Sequence, residues 1–204
     1  MKFILASKSP RRKEILENLG LDFEIITADC DETCHLEDPA QYVTELALRK
    51  GNAVRERLLQ SGDMSNNTLI IAADTVVACD GKILGKPKNP EDAARMLRMF
   101  SGKTHSVISG IALLTAAKNA ARAETTLVRF DRVPEKEIAQ YIATSEPYDK
   151  AGAYAIQGFA SLWITGIEGD YFNVVGFPVK CFCDLLREQF DISLADCLQK
   201  GIPS

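Results

Sequence analysis

No run of eighteen apolar residues occurs in this 204-residue chain, and no charged-then-apolar leader precedes a cleavage site, so a soluble, cytoplasmic and unexported protein with no membrane contact is expected. An excess of positive charge is also missing. With 24 Lys and Arg against 28 Asp and Glu the formal net charge is -4, which argues against the extended basic face that nucleic acid requires, although positive charge focused in one cleft can still hold a small polyanion. Histidine is scarce. Cys30 and Cys34 precede His35, and Cys181 and Cys183 lie one residue apart, but neither pair has a second pair at metal-site spacing, so structural zinc is not expected. The six cysteines then read as small hydrophobes in a reducing interior. Repeats, low-complexity tracts and linkers are absent too, and residues 1–204 are expected to form one domain, with 46% hydrophobic content ample for a core.

What the chain does contain alternates between strand and helix, which favours an α/β fold. Phe3 to Ala6 reads as a buried strand, Ser9 as an N-cap with Pro10 in the first helical position, and Phe23 to Thr27 as a second strand. Asp38 and Gln41 open a long helix as a capping box, with an apolar stripe through Val43, Leu46, Ala47, Val54 and Leu58. Leu69 to Cys79 reads as a strand buried on both faces, and Asp80-Gly81 as a two-residue hairpin turn that returns through Lys82 to Gly85. Asn89-Pro90 caps a helix to Phe100. Strands are expected over Val107 to Thr115 and Leu127 to Phe130, a helix from Val133-Pro134 to before Glu146, and a final core helix over Phe177 to Phe190.

Charge at core-facing positions points to chemistry. Asp74 interrupts the most apolar strand, where an isolated carboxylate is so costly that it must be paired, metal-bound, protonated or at the rim of a cleft. Lys50 falls on the apolar stripe of the long helix, either with a snorkelling stem or with its ammonium aimed at a ligand beside Asp74. Ser7, Ser9, Arg11 and Arg12 crowd one helix N-terminus, where Arg opposes the macrodipole; this is a solvated basic turn or a phosphate site, and the glycine-rich phosphate loop is missing. The hairpin directs Lys86 back toward Asp74. In Glu146 to Gly158, small residues with Gly152 and Gly158 permit close backbone approach to a ligand, and the Gln157 amide suits a nucleobase edge; turn-and-strand filler is the other reading.

Taken in order, Ser7-Lys8-Ser9-Pro10-Arg11-Arg12, Ala73-Asp74-Thr75, Lys86-Pro87, Ser101 to His105, Glu146 to Gly158 and Gly169-Asp170-Tyr171 to Pro178 resemble the Maf family of nucleoside triphosphate pyrophosphatases, from about residue 3 to about residue 187. The resemblance implies a mixed twisted sheet with flanking helices, forming two lobes around a central cleft, similar to the inosine triphosphate pyrophosphatases. It also implies a metal-dependent (Mg²⁺ or Mn²⁺), cytoplasmic, homodimeric enzyme. By position, Asp74, Lys86 and Glu32 match catalytic residues; Asp74 and Glu32 match the metal side; Ser7, Arg11, Arg12, Lys50, Thr75 and Gln157 match substrate contacts. The Ala151 to Gly158 tract is similar to the subclass that hydrolyses dTTP and UTP to monophosphate and pyrophosphate; a 7-methyl-GTP pyrophosphatase and a non-catalytic nucleotide-binding regulator of cell division are the alternatives.

Overall fold

Residues 1–197 are described by a computed structural model. The chain runs β1 (Lys2–Leu5), α1 (Pro10–Asn18), β2 (Phe23–Ile25), α2 (Pro39–Ser61), β3 (Thr68–Cys79), β4 (Lys82–Leu84), α3 (Pro90–Phe100), β5 (Thr104–Leu114), β6 (Asn119–Phe130), α4 (Glu135–Ile142), β7 (Ile164–Glu168), α5 (Tyr171–Val175), α6 (Val179–Phe190) and α7 (Leu194–Cys197). The strands form one seven-stranded mixed sheet in the order β2-β1-β3-β5-β6-β7, with β4 on β3. β1 lies parallel to both β2 and β3, whereas β4 on β3 and β7 on β6 are antiparallel. The expected mixed α/β sheet with flanking helices is thus observed.

Local chemistry accounts for most boundaries. Asp38 caps α2 by accepting the Gln41 N–H at 2.8 Å, and Asn89 does the same for Asp92 at the start of α3. Asp80 and Gly81 both adopt positive φ (48° and 72°), the backbone demanded by a two-residue hairpin turn. Two expectations shift. Ser9 occupies the N-cap of α1 without a side-chain bond, and it is Ser7 Oγ that accepts the Ser9 N–H, at 3.2 Å. β6 begins at Asn119 rather than Leu127, because pairing in the sheet outweighs the poor strand preference of its Ala, Arg and Glu residues.

The chain divides into two compact units. One takes Met1–Asp74, Ser109–Glu124 and the chain from Gly176 onward; its core joins Ile4, Ala6, Ile70, Ala72, Ala112 and Leu114 of the sheet to Ala47, Val54 and Leu58 of α2. Here the helix lies unusually close to the strands. A Cβ on Gly110 would stand 2.5 Å from the Val43 carbonyl carbon, and one on Gly51 would stand 2.3 Å from a Leu114 methyl, so glycine at these two points lets α2 settle onto the sheet.

The other unit takes Thr75–Ile108 and Thr125–Val175. Its core is aromatic: Phe100 stacks on His105 with ring centroids 4.3 Å apart, and Phe130 and Tyr154 pack edge-on to both. His105 is buried, its Nε2 shares a 2.8 Å hydrogen bond with the Tyr154 hydroxyl, and its Nδ1 is buried without a hydrogen-bond partner. Burial lowers its pKa from 6.5 to about 4. The folded state therefore rejects a proton that the unfolded chain accepts, so this contribution to stability is complete above about pH 6.5 and is lost as pH falls toward 4. A gap of this size corresponds to about 3 kcal/mol. Urea denaturation at stepwise pH should show wild-type stability falling more steeply between pH 6.5 and 4 than that of His105→Phe, which keeps the ring packing but cannot titrate; equal slopes would contradict this assignment.

Candidate functional site

Strand alternation sets the direction of Asp74. It lies on β3 in register with Ile70 and Ala72, whose side chains join the core that α2 covers, so its carboxylate faces the same helix. α2 meets it with Lys50. The Lys50 Nζ donates to Asp74 Oδ1 at 2.7 Å and stands 2.9 Å from Glu32 Oε2, with the Lys50 and Asp74 side chains only 20% and 13% exposed and that of Glu32 60% exposed. Of the two sequence readings of Lys50, the snorkelling stem therefore fails: the ammonium is aimed at Asp74. Burial by itself would lower the Lys50 pKa, but the Asp74 charge and the hydrogen bonds to Asp74 and Glu32 outweigh it and raise the pKa overall.

Arg12 enters from the first turn of α1. Its Nε donates to the Gly176 carbonyl at 2.9 Å, and its Nη1 donates to Ser7 Oγ at 3.1 Å and to the Ala73 carbonyl at 2.8 Å. The guanidinium thus ties α1, the chain leading into α6, and the residue before Asp74 into one fixed set. Burial lowers its pKa, opposed chiefly by Asp74, and arginine remains charged at neutral pH regardless. Arg11 follows on the same turn and adds repulsion to Arg12.

Glu32 sits in a loop with its own fastening. Asp31 Oδ1 accepts the Thr33 N–H at 2.8 Å, closing an Asx turn around Glu32 and lowering the Asp31 pKa. From α2, Arg49 is oriented by Glu45 at 2.7 Å and donates to the carbonyls of Thr33 (2.7 Å) and Asp31 (3.3 Å). Sequence reasoning missed Arg49 as a loop anchor. It also missed Tyr42, whose hydroxyl pKa is raised by burial first and then by the charges of Asp74, Cys34 and Glu32, which brings it within the field of the same carboxylates. The helical spacing of Tyr42, Leu46 and Lys50, four residues apart, was the available signal. A depression of about 600 Å³ lined by Asp29, Cys30, Asp31, Thr33, His35, Arg49, Asn52, Ala53 and Glu56 contains none of the residues gathered at Asp74.

Thr75 follows Asp74 on β3 and, by alternation, faces the opposite side of the sheet. In the second unit, Lys86 and Gln157 are both exposed. The Gly152 N–H donates to the Gly85 carbonyl at 3.0 Å, which joins the tract carrying Gln157 to the segment carrying Lys86. That tract is neither strand nor simple filler: Glu146–Asp149 and Ala151–Ala153 form short 3₁₀ turns. Its glycines answer to the protein itself. A Cβ on Gly158 would stand 2.0 Å from a Glu146 carboxylate oxygen, and one on Gly152 would stand 2.7 Å from a Val77 methyl, so close approach of a ligand is not what these glycines serve. Glu146 in turn accepts from Tyr141 Oη at 2.9 Å and from the Phe159 N–H at 3.2 Å.

Asp74 and Glu32 bring hard oxygen donors of two carboxylates to one positive centre, a donor set suited to Mg²⁺ or Mn²⁺. Among the described residues, however, no group of three or more His, Cys, Asp or Glu is placed to hold a metal ion. The two carboxylates therefore fit a divalent cation only if its other ligands come from phosphate oxygens and water. No helix among the described residues is long and apolar enough to cross a membrane.

A lysine and an arginine converging on one strand carboxylate, beside a serine-bearing turn at a helix start, occur here in a chain that belongs to the Maf family: the model of the Maf-like protein family matches residues 2–189. Curated relatives agree. A dTTP/UTP pyrophosphatase of Caldanaerobacter subterraneus subsp. tengcongensis is 46% identical over 194 residues, covering 94% of this chain and 91% of the relative. Proteins of the same name from Thermococcus kodakarensis (44% over 189 residues, 93% and 97%) and Bacillus cereus strain ATCC 14579 (43% over 196 residues, 95% and 97%) are similar over comparable spans. The family relationship makes the protein a nucleotide pyrophosphatase, and so a hydrolase.

The Arg12 bonds generate a prediction about stability. Arg12→Ala would leave the Ala73 and Gly176 carbonyls and the Ser7 hydroxyl without this donor, and loss of such charge-assisted bonds should lower the unfolding free energy by about 2 to 4 kcal/mol in urea titrations without any ligand. A residue serving only to contact phosphate would leave ligand-free stability unchanged.

Proposed function

We propose that this protein hydrolyses dTTP and UTP to the nucleoside monophosphate and pyrophosphate, with Mg²⁺ or Mn²⁺. The observation that carries the reading is the Lys50–Asp74–Glu32 cluster beside Arg12 and Ser7, in a chain 43 to 46% identical to proteins named for that activity. Water attacks the α-phosphorus; its oxygen forms the new P–O bond, the α–β bridging bond breaks, and pyrophosphate leaves with the bridging oxygen. Asp74 orients the water and receives its proton. Arg11, Arg12, Lys50 and Lys86 offset charge on the triphosphate and on the departing pyrophosphate, and Ser7 offers its hydroxyl to a phosphate oxygen. Asp74 and Glu32 would hold the divalent cation, which supplies charge neutralisation at the phosphates.

For the base, the reading rests on the exposed Gln157 amide. Uracil and thymine present an O4 acceptor beside an N3–H donor, a pair that an amide can meet, whereas cytosine reverses it. Thr75 is assigned to the substrate as well. A cytoplasmic homodimer completes the proposal.

Two measurements test it. With purified wild type, dTTP and UTP should each give stoichiometric pyrophosphate and monophosphate; orthophosphate with diphosphate, or a preference for 7-methyl-GTP, would overturn it. Asp74→Asn should abolish turnover with the fold retained by circular dichroism. Gln157→Ala should lower kcat/KM for UTP and dTTP by roughly ten- to a hundredfold and flatten the preference over CTP, because a lost polar contact in a closed site costs about 1 to 3 kcal/mol. A variant that kept its full uracil preference would remove Gln157 from base selection.

A further inference from the structure

The point at which Asp74 and Glu32 converge is held by the protein's own ammonium. We propose that Lys50 is the resident counter-cation of these two carboxylates, so that a divalent cation is not taken up by the nucleotide-free protein and enters only together with the triphosphate. The inference rests on the functional reading above and concerns the order in which its components assemble.

Three observations carry it. Lys50 Nζ contacts both carboxylates at once, at 2.7 and 2.9 Å, while a Mg²⁺ ion needs oxygens at about 2.0 to 2.1 Å, so ammonium and metal cannot both occupy this position. The ammonium is not mobile surface charge: its side chain is 20% exposed, and it extends from a helix settled closely onto the strands at the adjacent Gly51. Lastly, Arg12 adds positive charge that Asp74 feels directly, so the site carries enough positive charge to repel a bare dication. A triphosphate changes the balance on every count. It brings several negative charges, supplies the oxygen ligands that two carboxylates cannot, and gives the Lys50 ammonium new partners within the sweep of its flexible four-carbon stem. Metal and nucleotide then load as one complex, and the carboxylates are released to the metal as Lys50 turns to phosphate.

The test is Mn²⁺ binding to nucleotide-free protein, followed by electron paramagnetic resonance of the free ion. Wild type should bind Mn²⁺ weakly, and Lys50→Arg, which keeps the charge, should resemble it. Lys50→Gln, which keeps hydrogen-bonding capacity without charge, should bind one Mn²⁺ at least about tenfold more tightly. The gain should vanish in Lys50→Gln combined with Asp74→Asn, which locates it at this site. Wild type that binds one Mn²⁺ as tightly as Lys50→Gln overturns the proposal, as does an absence of gain in a folded Lys50→Gln. Should that variant not fold, wild type decides alone: stoichiometric uptake of Mn²⁺ without nucleotide that is lost in Asp74→Asn overturns the proposal, and weak uptake unaffected by Asp74→Asn upholds it. Pyrophosphate release from dTTP and UTP by the same wild-type preparation tests the functional reading separately, because the Mn²⁺ signal requires no turnover.

Discussion

A carboxylate in the middle of a buried strand has to be answered by positive charge, and the first compact unit is arranged around supplying it to Asp74. Removing one partner from a largely buried ion pair costs about 3 to 5 kcal/mol, far more than an exposed pair contributes, because the charge left behind has no solvent to turn to. The answer comes from two directions. Lys50 bonds the carboxylate itself, and Arg12 fixes the carbonyl of the preceding residue, Ala73. The first neutralises the charge; the second holds the backbone that carries it.

Packing makes that electrostatic answer possible. A lysine side chain has limited reach, so the pair at 2.7 Å requires α2 to lie near β3, and the helix can settle there because Gly51 and Gly110 present no Cβ where Leu114 and the Val43 backbone stand. The same helix anchors Glu32, since Arg49 holds the carbonyls on either side of it. One element thus delivers the ammonium, a tether for the second carboxylate and the nearby Tyr42. The catalytic groups in this unit are held by a strand, two helices and a twice-fastened loop, the rigid support that a preorganised site requires.

Much of this was legible in the sequence wherever a residue broke a local rule. Asp74 within an apolar strand, Lys50 on an apolar helical stripe and Arg12 in a first helical turn each conflicted with its surroundings, and all three prove to be joined at the site. Caps and hairpin turns were legible as well, because Asp38, Asn89 and Asp80-Gly81 act on neighbours three residues away or fewer. What escaped was long-range. Arg12 reaching Gly176 spans 164 residues, and no periodicity signals a side chain bound to a distant carbonyl. The glycines of the 146–158 tract were ambiguous for the same reason: a glycine announces that something comes close, and only the fold tells that it is Val77 and Glu146. The α1 cap was misassigned to Ser9 because Ser7 and Ser9 are chemically equivalent, and the choice between them depends on Arg12, which also claims the Ser7 hydroxyl.

Serine 7 shows how far the constraint at Asp74 extends. Its single oxygen accepts from the Ser9 N–H and from Arg12, so the start of α1, the guanidinium and the Ala73 carbonyl form a continuous chain of hydrogen bonds ending one residue from the carboxylate. A residue that accepts two donors has its hydroxyl proton left to give, and an anion arriving at this turn would find a donor already oriented by the protein. Cationic and neutral donors are therefore ordered before any ligand arrives. That order is maintained by internal carboxylate and carbonyl partners, and these are the partners that a triphosphate, richer in negative oxygen than any of them, is chemically equipped to replace.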